Sequence, residues 1–260
     1  MSDNNENRRT LVIPSENMNI EARIEPVNAK IEKLTQNKTK RVYEIYDSDE
    51  YFSKYKPSLS MIERSREFEN VALMTMIGLE DRKEEWLGTP EQWELIDKEF
   101  PNTTRVLAFN GEIVGYYFYL FIKEEYFSEL KKGNLTDSNI TIDMVDISGI
   151  KGKYLCYFVD IAIVQKHRWV GASLLLEDFA KQLENYAKNE IYVSEVCTIG
   201  FTQSGEDMCV RLGLDNVSKN IYSLKLIPFP QSLVKKYPKS KKVKTLEKLK
   251  KLYDENNYNE

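Results

Sequence analysis

Hydrophobic and polar positions predict strands through the middle of the chain. Residues 106–109 and 113–122 are apolar runs joined by Asn110-Gly111, a pair that suits the positive φ angles of a tight hairpin turn. Residues 154–164 are almost continuously apolar, which is typical of a strand buried on both faces. Similar short runs predict further strands at residues 41–46, 191–199 and 221–226.

Apolar residues at helical spacing predict helices at residues 60–79, 90–100, 171–189 and 203–212. The second helix has a clear start, because Thr89 suits the N-cap, Pro90 suits the first helical position and Gln92 completes a capping box. Together with the strands, these helices give the order β-α-α-β-β-β-α-β-α-β. This order predicts an α/β fold with a mixed sheet and helices on both of its faces.

The polar segments divide the chain into three parts. Residues 1–39 form a polar extension, 40–229 one domain, and 230–260 a lysine-rich tail with a basic helix near 242–253. Within the domain, residues 123–153 form a polar, irregular insertion of the kind that often serves as a lid or binding loop. A tail this basic can bind nucleic acid, but it lacks aromatics interleaved with the lysines for base stacking, so a solvated segment is the favoured interpretation.

Composition excludes several classes of protein. The 260 residues are 42% hydrophobic and 30% charged, with a formal charge of -4, so no overall basicity points to nucleic acid. The three cysteines lack metal or redox spacing, which favours a reduced, cytoplasmic setting and predicts no metal. Residues 113–122 are the longest uncharged apolar run and fall short of the roughly 20 residues that span a bilayer. We expect a soluble protein, with a homodimer left open.

Residues 160–173 join an apolar strand through a short basic turn to an amphipathic helix. The start of a helix offers unpaired N–H groups and the positive end of the helix dipole, which together can hold a phosphate. Lys166, His167 and Arg168 add positive charge to the turn. The pattern therefore predicts a phosphate-bearing ligand, with His167 a surface residue.

Two motifs carry a resemblance to a known family. Arg168-Trp169-Val170-Gly171-Ala172-Ser173 resembles the Gln/Arg-x-x-Gly-x-Gly/Ala signature of GCN5-related N-acetyltransferases, with Ser173 at the last position. The segment from Thr202 to Leu214 is similar to a second family motif, keeping Leu212-Gly213 but carrying Cys209 where the family commonly has a tyrosine acid. The resemblance covers residues 41–227.

The resemblance implies a mixed, mostly antiparallel sheet and an acyl-CoA-dependent N-acyltransferase that moves acetyl from acetyl-CoA to an amine by direct attack. By resemblance, the strand ending near residue 163 has a splayed edge that binds the pantetheine arm, and the turn binds the pyrophosphate. The expected cofactor-binding residues are Ile161, Ala162, Ile163, Arg168, Trp169, Val170, Gly171, Ala172, Ser173 and Thr202. Gly171, having no Cβ, is expected to let the backbone approach the cofactor.

The candidate catalytic residues are Asp160, Tyr157 and Cys209, and each has a structural alternative. Asp160 is the only charge in its strand, so it is either a base with a raised pKa or a structural carboxylate. Strand alternation predicts that only one of Tyr157 and Asp160 faces the cleft. Cys209 is either an acid or a small buried residue. The alternative function is a catalytically silent module that binds acyl-CoA or another protein.

Overall fold

A seven-stranded sheet forms the centre of the computed structural model, which describes residues 42–65, 88–146, 150–236 and 241–255. The strands are β1 Tyr43–Asp47, β2 Thr104–Phe109, β3 Glu112–Phe121, β4 Gly152–Ile163, β5 Ile191–Ile199, β6 Asp215–Ser218 and β7 Ile221–Lys225. Their order is β1-β2-β3-β4-β5-β7-β6, and every neighbouring pair is antiparallel except the parallel pair β4–β5. The mixed, mostly antiparallel sheet predicted from sequence is confirmed.

Helices pack on both faces of this sheet, as predicted. Within the described ranges they are α1 Ser48–Tyr55, α2 Pro90–Glu99, α3 Glu124–Lys132, α4 Arg168–Lys188, α5 Gln203–Leu212, α6 Gln231–Lys236 and α7 Lys241–Glu255. Leu175 of α4 and Leu249 of α7 share one buried cluster with Tyr117 of β3. Trp93 of α2 and Phe127 of α3 belong to a second cluster on the other face. The helical region predicted at 60–79 begins at residue 61, and its continuation beyond residue 65 lies outside the described residues, as does the extension 1–39.

The insertion at 123–153 is not the irregular segment that its polar sequence predicts. It contains α3 and two short 3₁₀ helices, Asp137–Asn139 and Ile142–Met144. Phe127, Leu130, Ile140 and Val145 are buried against the sheet, and these few apolar residues were enough to fold the segment.

Gln92 fastens this insertion to α2. Its side chain completes the predicted capping box with Thr89, which is confirmed, and its Nε2 also donates to the carbonyl oxygens of Asp137 and Ile140 at 2.7 Å each. One residue therefore begins α2 and holds the 3₁₀ turn that carries Asp137. Both contacts place that turn beside the sheet.

The lysine-rich C-terminal segment is not solvated along its length, and that prediction is wrong for residues 241–255. The predicted basic helix is present as α7, and its Leu249 and Tyr253 are buried in the main cluster. The Tyr253 hydroxyl donates to the carbonyl of Val193 at 3.0 Å and accepts from the N–H of Val193 at 3.1 Å. The lysines lie mainly on the outer face, so the charge pattern concealed an apolar stripe.

None of the helices in the described ranges combines the length and the apolarity that a membrane crossing requires.

Candidate functional site

The two parallel strands of the sheet separate part of the way along. β4 and β5 pair from Gly152 with Ile191 as far as Tyr157 with Cys197, and β4 then continues to Ile163 without β5 beside it. β5 continues instead with β7, ending at the pair Ile199 and Ile221. Among the described strands, none pairs with the main-chain groups of residues 158–163 that face β5, which opens the sheet for a ligand.

A cleft of about 1350 Å³ lies at this separation. This is larger than the roughly 300–1,000 Å³ of common small-molecule pockets, so it can accept a long ligand. Its walls include ten of the residues predicted from sequence to bind the cofactor or act in catalysis: Asp160, Ile161, Ala162, Ile163, Arg168, Trp169, Ala172, Ser173, Thr202 and Cys209. Tyr157, Val170 and Gly171 are not part of the wall.

Two helices begin at the same edge of the sheet as this cleft. α4 follows the end of β4 and α5 follows the end of β5, and the ends of parallel strands meet at one edge. Both positive helix ends therefore favour negative charge there. The Thr202 hydroxyl already accepts the N–H of Gly205 at 3.0 Å, so it caps α5.

The basic turn is itself helical, which reduces the number of main-chain N–H groups that it can offer to a phosphate. Gln165–His167 is a 3₁₀ turn, and the Arg168 N–H bonds the carbonyl of Gln165. From Gly171 onward the N–H groups lie in the regular bonding pattern of α4. The main-chain N–H groups of Trp169 and Val170 lie in the first turn of α4, so they have no carbonyl partner within that helix.

Gly171 allows close packing of a helix on the sheet, whereas its predicted role was to let the backbone approach the cofactor. A Cβ at this position would lie 2.9 Å from Cγ2 of Ile163 and 3.1 Å from Cδ2 of Leu107. The missing side chain thus lets α4 approach β4 and β2 closely, and the space faces the core rather than the cleft. The glycine sets the position of the helix whose start lines the cleft.

His167 is buried, so the prediction of a surface histidine is wrong. It is 7% exposed, its Nδ1 lies 2.8 Å from the Tyr43 hydroxyl, and its ring contacts those of Tyr43 and Phe109. Burial, followed by the nearby charge of Lys166, lowers the pKa of the imidazole. His167 therefore fixes the turn to β1 and β2, and it is not in the cleft wall.

A bulge in β4 overturns the predicted alternation between Tyr157 and Asp160. Phe118 pairs with Asp160 whereas Tyr119 pairs with Phe158, so Val159 is an extra residue in β4. Tyr157 and Val159 lie in the cluster with Phe118, and the Asp160 carboxylate accepts from the hydroxyl of Tyr116, which shares that face of β3. Tyr157 and Asp160 therefore face the same side of the sheet.

The surroundings of the Asp160 carboxyl group shift its pKa. Burial raises the pKa of this carboxyl, while hydrogen bonds from the Tyr116 hydroxyl and from the main chain of Ile161 oppose the increase. A carboxyl with a raised pKa is a stronger base than an exposed aspartate. Asp160 lies in the cleft wall and so meets both requirements of a base, access and basicity.

Tyr157 is fully buried, with its hydroxyl bonded to the Asp137 carboxylate. Burial and the nearby Asp137 charge raise the pKa of this phenol well above its usual value, so it stays protonated. The cleft wall contains Asp137 rather than Tyr157. Tyr157 thus holds Asp137 in place from inside the sheet.

Four further acidic residues line the cleft and were not predicted from sequence, namely Asp97, Asp137, Glu177 and Asp207. Burial raises the pKa of Asp97, opposed by the Thr104 hydroxyl, which donates to its Oδ1 at 2.6 Å. Asp97 is a single aspartate on the apolar side of α2, and this pattern could have marked it as a site residue. No local pattern marks Asp137, because its place in the cleft wall depends on the folding of the insertion. The parts of the chain that the structure describes contain no cluster of three or more residues suited to binding a metal.

Cys209 is 4% exposed, and burial raises the pKa of its thiol to about 11. An ordinary thiol has a pKa of about 8.5, so Cys209 is the weaker acid of the two. It remains protonated at neutral pH but gives up a proton poorly to a departing thiolate.

Comparison with known proteins adds limited information. No family model and no curated protein matches the chain. Solved structures similar to it include the loading GNATL domain of CurA from Lyngbya majuscula (18% identity, TM-score 0.35, covering 61% of this chain and 64% of that one). A second is the GphF GNAT-like decarboxylase in complex with isobutyryl-CoA (14% identity, TM-score 0.36, covering 61% of this chain and 65% of that one). A third is Ard1 from Thermoplasma volcanium (10% identity, TM-score 0.37, covering 70% of this chain and 93% of that one). The match spans less than two thirds of the first two of these chains.

The topology of the chain itself is more informative than these weak likenesses. A mostly antiparallel sheet, one parallel pair that opens part-way, and a helix starting from a basic turn after the opened strand are the features that the sequence resemblance implies. By its strand order and pairing, the chain has the fold of the GCN5-related N-acetyltransferases.

Proposed function

We propose that the chain is an acyl-CoA-dependent N-acyltransferase that moves acetyl from acetyl-CoA to an amine. The separation of β4 from β5 beyond Tyr157 and Cys197 carries this proposal. An extended arm that contains amide groups can add to the unpaired edge of β4 much as a peptide strand adds to a sheet. Pantetheine has this chemistry, and Ile161 and Ile163 lie on the exposed length of β4.

The charge at the edge of the sheet supports a phosphate-bearing donor. The starts of α4 and α5 both favour anions, and the side chain of Arg168 lies in the cleft wall. The N–H groups of Trp169 and Val170 can donate to a pyrophosphate oxygen. The donor would then run from this edge inward along β4.

The opposite lining of the cleft supports an amine acceptor. Asp97, Asp137 and Asp160 are all in the wall together with the rings of Trp93 and Phe118. Carboxylates beside aromatic rings favour a cation that also has an apolar body. An ammonium group is such a cation, and it must lose a proton before it can attack.

The chemistry requires only groups that the cleft contains. Asp160 accepts a proton from the amine, whose nitrogen attacks the thioester carbonyl carbon and forms the C–N bond. A main-chain N–H of β4 stabilises the oxyanion, and the C–S bond then breaks. The leaving thiolate takes a proton from the attacking nitrogen or from water, because Cys209 is a poor donor. Proximity supplies much of the remaining acceleration.

The second candidate is a silent module that binds acyl-CoA without transfer. The observation that favours it is Cys209, because its raised pKa leaves the position without an effective acid. The two candidates share the same cleft and differ only in turnover.

The test is release of free thiol from acetyl-CoA with a panel of primary amines, with the acetylated amine identified by mass spectrometry. We expect Asp160→Asn to lower kcat by about 100-fold or more, the usual contribution of a general base, with little change in acetyl-CoA affinity. Asp215→Asn is the matched control, because Asp215 is exposed on the edge strand β6. Binding without turnover across the panel would favour the silent module, and absence of binding would contradict both candidates.

A further inference from the structure

Trp169 is the most exposed of the large apolar side chains in the described residues. It is 83% exposed in the first turn of α4, whereas Trp93 is 7% exposed in the core. A single exposed apolar residue is ordinary on a protein surface, so exposure alone carries little. What distinguishes Trp169 is that it also belongs to the wall of the cleft.

The ring lies at the end of one continuous stripe of α4. Trp169, Ala172, Ser173, Leu176 and Ala180 all line the cleft, at spacings that put them on one face of a helix. The two residues after Trp169 on this stripe are small, so they leave space beside the indole. A flat group can lie against the ring with its edge over Ala172 and Ser173.

Two basic residues lie in the same turn as Trp169. Lys166 and Arg168 are exposed in the same turn, and neither forms an ion pair with another residue in the part of the chain that the structure describes. The N–H groups of Trp169 and Val170 are at the helix start, where they lack partners within the helix. An aromatic face beside cations and the start of a helix matches a ligand that joins a flat base to phosphate groups.

We infer that Trp169 stacks on the adenine ring of the acyl-CoA donor and makes the protein select the nucleotide-bearing thioester. This inference rests on the proposed function and adds to it a residue that distinguishes donors. A thioester on phosphopantetheine alone, as on a carrier protein, has the same reactive arm but no base to stack on Trp169. Such a donor would bind through β4 and, by its phosphate, through the basic turn, without a contact to Trp169.

The test compares the affinities of two donors by calorimetry. Stacking of a base on an aromatic side chain contributes about 1–3 kcal/mol, and each 1.4 kcal/mol changes affinity about tenfold. We expect Trp169→Ala to weaken binding of acetyl-CoA by about 10-fold and to leave binding of acetyl-phosphopantetheine within about twofold. Trp169→Phe keeps a ring and should retain most of the affinity.

Val210→Ala is the matched control, because Val210 is an apolar residue of α5 that is 60% exposed and is not in the cleft wall. It should leave both affinities unchanged. Equal losses for both donors with Trp169→Ala, or no loss for either, would overturn the inference while leaving the proposed function intact. If the unaltered protein binds neither donor, the proposed function fails and this inference with it.

Discussion

At the scale of single residues, the ionisation of Asp160 is controlled by the bulge at Val159. Without the extra residue, Asp160 would face α4 and could not meet Tyr116. With it, the carboxyl lies in the cleft wall, and burial raises its pKa. Because folding raises this pKa, the folded chain binds the proton more tightly than the unfolded chain, so ionisation of Asp160 costs stability as the pH rises through that range.

Replacing Tyr116 with phenylalanine tests this assignment. The Tyr116 hydroxyl favours the ionised carboxylate, so its removal should raise the pKa of Asp160 further. The acidic limb of kcat/KM, which reports the base of the free enzyme, should then move to higher pH. Tyr119→Phe is the control, since its hydroxyl bonds Tyr186 on the other face of β3 at 2.8 Å. A limb that stays in place in Tyr116→Phe would remove Asp160 from the role of base.

At the scale of elements, hydrophobic periodicity predicted the sheet and most of the helices, but not the pairing details. The hairpin at Asn110-Gly111 is present, and both residues have positive φ, as the pair predicts. α1 and α3 were missed because their few apolar residues become significant only against the finished sheet, and β6 was missed because its one apolar residue, Val217, is exposed. The bulge at Val159 depends on the register between β3 and β4, which no local pattern determines. Asp137 was not predicted as a site residue because its position depends on tertiary contacts with Gln92 and Tyr157.

The packing of α4 depends on Gly171 for the same tertiary reason. Gly171→Ala should crowd Ile163 and Leu107, at a cost of about 1–3 kcal/mol that the better helix propensity of alanine offsets by about 1 kcal/mol. We expect a net loss of about 1 kcal/mol in the free energy of unfolding, measured with urea. Gly205→Ala in α5 is the comparison, because its nearest contact would be 3.3 Å from Thr202 Oγ1. Equal stability of the two variants would contradict the packing role.

At the scale of the whole molecule, α7 supports the cleft from the side of α4. Leu246 and Leu249 of α7 line the cleft, and Leu249 is 1% exposed. Tyr253 bonds both main-chain groups of Val193 on β5. The C-terminal helix therefore connects α4, which follows β4, to β5, and the opening forms between β4 and β5.

Truncating one side chain of α7 measures this support. Leu249→Ala should lower the free energy of unfolding by about 2–5 kcal/mol, the usual cost of a large buried residue. Lys251→Ala, at an exposed position of the same helix, should change it by less than about 0.5 kcal/mol. If Leu249→Ala is as stable as Lys251→Ala, α7 is a loosely attached segment, as its lysines first indicated.

The central claim is that the opening between β4 and β5 is a site for acyl-CoA, and calorimetric titration with acetyl-CoA tests it most directly. We expect one site per chain with a Kd below about 100 μM, which corresponds to a binding free energy more favourable than about -5.5 kcal/mol. Arg168→Glu should weaken this binding by at least about 10-fold, while Lys225→Ala, an exposed change on β7, should not alter it. Absence of binding at hundred-micromolar acetyl-CoA, or equal binding by Arg168→Glu and the unaltered chain, would contradict the account.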